Sequence, residues 1–151
     1  MNQVRPGQMA GLFGSALLLV SCFVDWVGRG SFGLGVLDDN FGFTGVFVVL
    51  IALALTAVAV IRAFAPQVTL PAQLLGFSLD QLVISLAFAM VVYGLSITFL
   101  SVAGSNAAKI GAFLAWIGGA AVIAGLIIDQ RTPAAPADPT PPADPPPPTD
   151  S

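Results

Sequence analysis

Histidine and glutamate are absent from this chain of 151 residues, and cysteine, lysine and tyrosine occur once each. Each absence removes a class of chemistry. Nucleophilic catalysis needs a neighbouring base, most often an imidazole. A catalytic zinc site needs His, Cys or carboxylate ligands held together. One cysteine makes neither an intramolecular disulfide nor a CxxC redox pair. Charge is scarce as well. Charged residues make up 9% of the chain, against roughly 25% in a soluble domain. So few charges cannot cover a water-facing surface, which excludes a soluble enzyme, a nucleic-acid binder and a disulfide-stapled secreted domain.

What is present is apolar. Hydrophobic residues make up 56% of the chain, and the mean hydropathy is +0.91. The charges leave four long uncharged stretches: Pro6 to Val24, Asn40 to Ile61, Gln81 to Ala108 and Ile110 to Ile128. A bilayer core of about 30 Å takes about 20 apolar residues in a helix. Spans are therefore expected near residues 8–27, 43–63, 81–102 and 108–128. Barrel strands would alternate apolar and polar residues, whereas Val46–Val60 is apolar on nearly all sides. The expected fold class is all-α, a transmembrane four-helix up-down-up-down bundle over residues 1–129. A disordered tail follows at 130–151.

Local signals punctuate these spans. Ser78-Leu79-Asp80-Gln81 reads as a capping box that opens the third helix, with Phe77 and Leu82 at the staple positions. Thr44 is a candidate cap for the second. Pro66, Gln67, Pro71 and Gln73 make 63–79 a loop, and Gly104-Ser105-Asn106 a short turn between spans three and four. An even number of spans puts both termini on one side, with Arg5, Arg62 and Arg131. Arg29 and Lys109 fall on the other side. This bias favours cytoplasmic termini in the plasma membrane.

The first span has two further readings. Leu19-Val20-Ser21-Cys22 resembles a lipoprotein box, but the apolar run continues through Phe23 and Val24, so an uncleaved anchor is preferred. Trp26 suits an interfacial anchor. Asp25 and Arg29, four residues apart, would pair if the helix continues.

Small residues predict close helix contacts in lipid, where hydrophobicity does not drive association. Gly7, Gly11 and Gly14 form such a face in the first span. Gly111, Ala115, Gly118, Val122 and Gly125 form a second in the fourth span, and Ser85, Ala89, Val92 and Ser96 a third in the third span. No ionisable residue lies deep in a span, which argues against a proton or ion pathway. Thr56, Tyr93, Ser96 and Thr98 are the candidates for a polar passage, with bonding to helix carbonyls as the plainer reading. The loop over 28–43 is rich in Gly and Phe. Phe32, Asp38, Asp39 and Phe41 are its candidate partner contacts. Asp38-Asp39-Asn40 lacks the spacing of a calcium loop and reads as a polar turn. No metal, cofactor or catalytic residue is expected.

From Thr132 the chain turns to Pro, Ala and Asp, a composition that cannot build a core and favours extended polyproline II. A solubilising spacer is the preferred reading, and Pro133-x-x-Pro136 the loosest form of a docking motif. A span ends in Phe23-Val24-Asp25-Trp26, a Gly/Phe loop follows, and a Pro-containing loop ends in Phe77-Ser78-Leu79-Asp80. With the final hairpin and the tail, this layout resembles small uncharacterised four-span membrane proteins of high-GC Gram-positive bacteria. The resemblance implies no activity and carries over no functional residue. The expected role is non-enzymatic: an accessory or scaffolding subunit in the lipid bilayer, packing as a homo-oligomer or against a larger membrane complex, without nucleic acid. The alternative is a small oligomeric channel or transporter for a neutral or weakly polar solute.

Overall fold

The computed structural model describes residues 5–29, 32–37, 42–65, 67–71, 73–74, 76–103 and 107–132. Four helices account for most of them: α1 (Pro6–Ser21), α2 (Gly42–Phe64), α3 (Leu79–Ala103) and α4 (Ile110–Arg131). Short strands lie in the connections: β1 (Asp25–Arg29), β2 (Phe32–Gly35), β3 (Gln73–Leu74), β4 (Phe77–Ser78) and β5 (Ala107–Ala108). The fold is thus mostly helical rather than purely so. The tail beyond Thr132, the turn at 104–106 and the loop positions Asp38, Asp39 and Phe41 lie outside the described residues.

Three helices are long and apolar enough to cross a membrane, over Phe43–Phe64, Leu79–Ser101 and Ile110–Arg131. The first expected span differs. Instead of running over 8–27, its helix stops at Ser21 after 16 residues, about 24 Å of rise against a hydrocarbon core of about 30 Å. The stop has a local cause. The Cys22 and Phe23 amides donate to Leu19 and Val20 O at 3.1 and 3.0 Å, tightening the last turn to three-residue spacing. The Trp26 indole N–H donates to Ser21 O at 2.6 Å, satisfying a carbonyl that the helix leaves open. The chain then leaves as strand β1.

Trp26 is accordingly no interfacial anchor, since its side chain is 0% exposed. Nor do Asp25 and Arg29 share a helix. They lie at opposite ends of β1, and Asp25 meets Lys109 instead. β1 pairs antiparallel with β2, Val27 opposite Leu34 and Gly28 opposite Gly33, with a bulge between Asp25 and Val27. β5 adds to the other edge of β1, Val27 opposite Ala108. The Lys109 amide donates to Trp26 O at 2.8 Å. This small sheet ties the start of α4 to the end of α1.

At the other connection, Gly76 takes φ +83 between β3 and β4, the left-handed turn that glycine permits without strain. The expected capping box is present. Gln81 N donates to Ser78 Oγ at 3.2 Å, and Ser78 N donates to Gln81 Oε1 at 3.0 Å. Thr44 does not cap α2, because that helix already begins at Gly42.

The closest packing is between α1 and α4. A Cβ on Gly14 would sit 2.6 Å from Gly118 O, and one on Gly118 2.7 Å from Gly14 O. Gly125 faces Gly7 O at 2.6 Å in the same sense. Backbone lies on backbone, which is how helices hold together where solvent supplies no hydrophobic drive. α4 meets α3 similarly, with Gly119 against Ala87 O and Gly94 against Ala112 O and Trp116 N. The core between them holds Leu18, Trp26, Ala87, Met90, Ala112 and Ala115, with Val48, Ala52 and Leu55 from α2. α3 turns Val83, Ala87, Met90 and Gly94 inward. The small stripe expected to make its contacts, Ser85, Ala89, Val92 and Ser96, faces outward.

Candidate functional site

Polar side chains gather at the two ends of the helical layer. At the end where α1 and α3 begin and α2 and α4 finish, Arg62 from the last turn of α2 reaches Asp80 in the first turn of α3. The Nη2–Oδ1 distance is 2.5 Å. Gln8 Nε2 donates to Arg62 O at 3.1 Å and so ties α1 to the end of α2. Gln8 Oε1 accepts from the Arg5 amide at 3.0 Å. Asp129, in the last turn of α4, packs against Gly7, where any side chain would strike its carboxylate. Its Oδ1 is buried and has no hydrogen-bond partner among the described residues.

Gln8, Arg62 and Asp129 border a partly open cavity of about 40 Å³ between all four helices. Arg62, Asp129 and Gln8 form its polar part, and Leu55, Val58, Val83, Val122 and Leu126 much of its apolar wall. Gly11 lines it too, and a Cβ there would meet nothing within 4 Å. A water needs about 10–15 Å³ of such space and two or more polar partners, so the cavity is large enough for ordered water.

At the opposite end the Lys109 ammonium lies 3.3 Å from Asp25 Oδ2. Asp25 covers Gly33, whose missing side chain makes room for the carboxylate. Under the sheet, the Trp26 ring leans on Tyr93, with centroids 5.7 Å apart.

The four residues considered for a polar passage do not share one path. The Thr56 hydroxyl donates to Ala52 O at 2.7 Å and faces Ser15 O of α1 at 3.3 Å. Ser96 and Thr98 donate to Val92 O and Gly94 O, within α3. Tyr93 and Ser96 line an open groove between α2 and α3, of about 470 Å³, with Phe47, Ile51, Phe88 and Ala89. Thr56 and Thr98 are not in it. The groove walls are almost wholly apolar, suited to hydrocarbon or another helix rather than to a hydrated solute.

Of the expected packing residues, Gly7, Gly14, Ala115, Gly118 and Gly125 are buried between helices, and Gly111 is buried against Trp26 and Asp25 O of β1. Gly11 borders the cavity instead. Phe32 lies in β2. Gly94 and Gly119 were not singled out from the sequence. A glycine inside an apolar helix was the available signal for both, since its only gain there is close approach. The cluster of Gln8, Arg62, Asp80 and Asp129 had no sequence signal, because it joins four helices.

No family model, no curated protein and no solved structure matches the chain.

Proposed function

We propose that this chain is a multi-pass plasma-membrane protein without enzymatic activity. It acts as an accessory or scaffolding subunit that packs against a second copy or a larger membrane complex. In this reading α1 crosses together with β1 as the fourth span, the order is up-down-up-down, and both termini are cytoplasmic. The packing order supports that topology: Gln8 bonds to Arg62 and Thr56 to Ser15, while Gly14 meets Gly118 and Gly94 meets Ala112. In this reading neighbouring helices run antiparallel.

The observation that carries the assembly role is the outward stripe of Ser85, Ala89 and Ser96 beside the α2–α3 groove. Small residues in lipid favour close helix approach, and within the chain this stripe is not used for it. Cysteine cross-linking tests the reading. Ala89→Cys in a Cys22→Ala background is expected to give a discrete cross-linked species in native membranes, containing the chain itself or a stoichiometric partner. A protein that is monomeric in mild detergent and cross-links to nothing would sink the proposal.

A further inference from the structure

The ion pair that joins the end of α2 to the start of α3 also faces outward. Arg62 and Asp80 line an open cleft of about 310 Å³, with Ser78 as a third polar group and Leu70, Pro71 and Leu79 as its apolar side. The pair uses little of what these groups can bond. Arg62 Nη2 donates to Asp80 Oδ1, whereas a guanidinium carries five donors and a carboxylate two acceptor oxygens. Asp80 Oδ2 accepts no hydrogen bond among the described residues. The Ser78 hydroxyl accepts from Gln81 N and donates to none of them. The two charged side chains are 27% and 42% exposed, so both can be reached from outside.

Both charges and a hydroxyl beside an apolar wall define the chemistry of an occupant. A phosphate suits the remaining guanidinium donors, which match its oxygens in paired, charge-assisted bonds. A second anionic group beyond the phosphate would meet Asp80 and be repelled. A primary ammonium would be attracted there and can donate to Oδ2, which a trimethylated one cannot. Arg62 lies in the last turn of α2 and Asp80 in the first turn of α3, the level of lipid headgroups for helices that cross a bilayer. Apolar side chains are exposed in the same connection, at Phe64 and Val68. A neighbouring cleft of about 250 Å³ shares Arg62 and Leu70 and is walled by Ile61, Ala65 and Val68, an apolar surface suited to the glycerol end of a lipid.

We propose that this cleft binds the phosphoethanolamine headgroup of a membrane phospholipid. Arg62 and the Ser78 hydroxyl hold the phosphate, Asp80 takes the ammonium, and Leu70 and Pro71 face the glycerol and the first acyl carbons. The site rests on the membrane reading above and adds a specific lipid to it.

The test reads which lipid the full chain retains. The protein, purified in mild detergent, is mixed with equal amounts of phosphatidylethanolamine, phosphatidylcholine and phosphatidylglycerol of matched acyl chains, and bound lipid is counted by native mass spectrometry. Phosphatidylethanolamine is expected to be retained several-fold over the other two. Asp80→Asn keeps the guanidinium and the Ser78–Gln81 capping box, so it should still bind phospholipid while the preference falls to parity. Arg62→Gln should lower retention of all three several-fold. Soluble phosphoethanolamine, which lacks the acyl chains, should not displace the lipid. Thermal melts identify a variant that fails to fold. If that is Arg62→Gln, the Asp80→Asn result decides, because a changed preference is not a consequence of unfolding. Equal retention by the unaltered chain, a preference for phosphatidylglycerol, a preference that survives Asp80→Asn, or displacement by soluble phosphoethanolamine overturns the site. Alkaline carbonate separates this failure from that of the membrane reading. A chain that stays in the membrane pellet but shows no preference defeats the lipid site alone, whereas a chain released by carbonate defeats both.

Discussion

Gly14 and Gly118 lie against one another's backbone, and neither neighbour can give way as a flexible side chain would. Gly14→Val or Gly118→Val is expected to cost at least the roughly 1–3 kcal/mol typical of overpacking. The loss should appear as a lower midpoint of thermal unfolding in detergent. Gly11→Ala, with open space at its Cβ, should leave the midpoint nearly unchanged. Both kinds of glycine look alike in the sequence, since 3–4 spacing places them on one face but does not say which of them touches a neighbour. Trp26 makes the same point more sharply. An indole at the end of an apolar run reads as an interfacial anchor, yet it is fully buried and bonded to Ser21 O. Trp26→Ala should cost about 3–5 kcal/mol. A change within the error of the melt would place this residue at the lipid interface after all.

Among the elements, α3 was the most legible at its start and the least along its length. Its capping box is a four-residue pattern whose hydrogen bonds are all local, so the sequence suffices. Ser78→Ala is expected to cost about 1 kcal/mol, measured as a shift in the same melt. Which face of α3 turns inward is another matter. Ser85-Ala89-Ser96 and Ala87-Gly94 are both small stripes, and the choice between them rests on the fit to Gly119, Ala112 and Trp116 of α4. Leucine at each stripe separates them. Ala87→Leu, at a fully buried position, should destabilise the bundle, whereas Ala89→Leu, on the outward face, should leave the isolated protein's melt unchanged. The end of α1 was misplaced for a related reason. The apolar run continues past Ser21, and what ends the helix is a cap from Trp26 and strand pairing with β5, more than 70 residues away in sequence.

Over the whole molecule, the proposed up-down order puts Arg5, Arg62 and Arg131 at one end and Arg29 and Lys109 at the other. Paired reporter fusions test the proposed orientation. A fluorescent protein after Arg131 should be bright, and alkaline phosphatase joined just before Lys109 should be active. The reverse pattern would place the termini outside. The two ends also differ in kind. One is tied by a sheet with Trp26 beneath it, while the other holds the cavity, the Arg62–Asp80 ion pair and Asp129.

The sequence by itself determined that apolar helices long enough for a bilayer make up this chain, and that its charges fall at their ends. Both follow from composition and spacing, because hydrocarbon excludes charge residue by residue, without reference to neighbours. Only the tertiary structure decided where α1 stops, which small stripe of α3 is buried, and that Gln8, Arg62 and Asp129 line one cavity while Asp80 pairs with Arg62. Those outcomes depend on contacts between segments distant in the chain, set by the shapes of two surfaces at once. A one-dimensional pattern records each surface but not their fit.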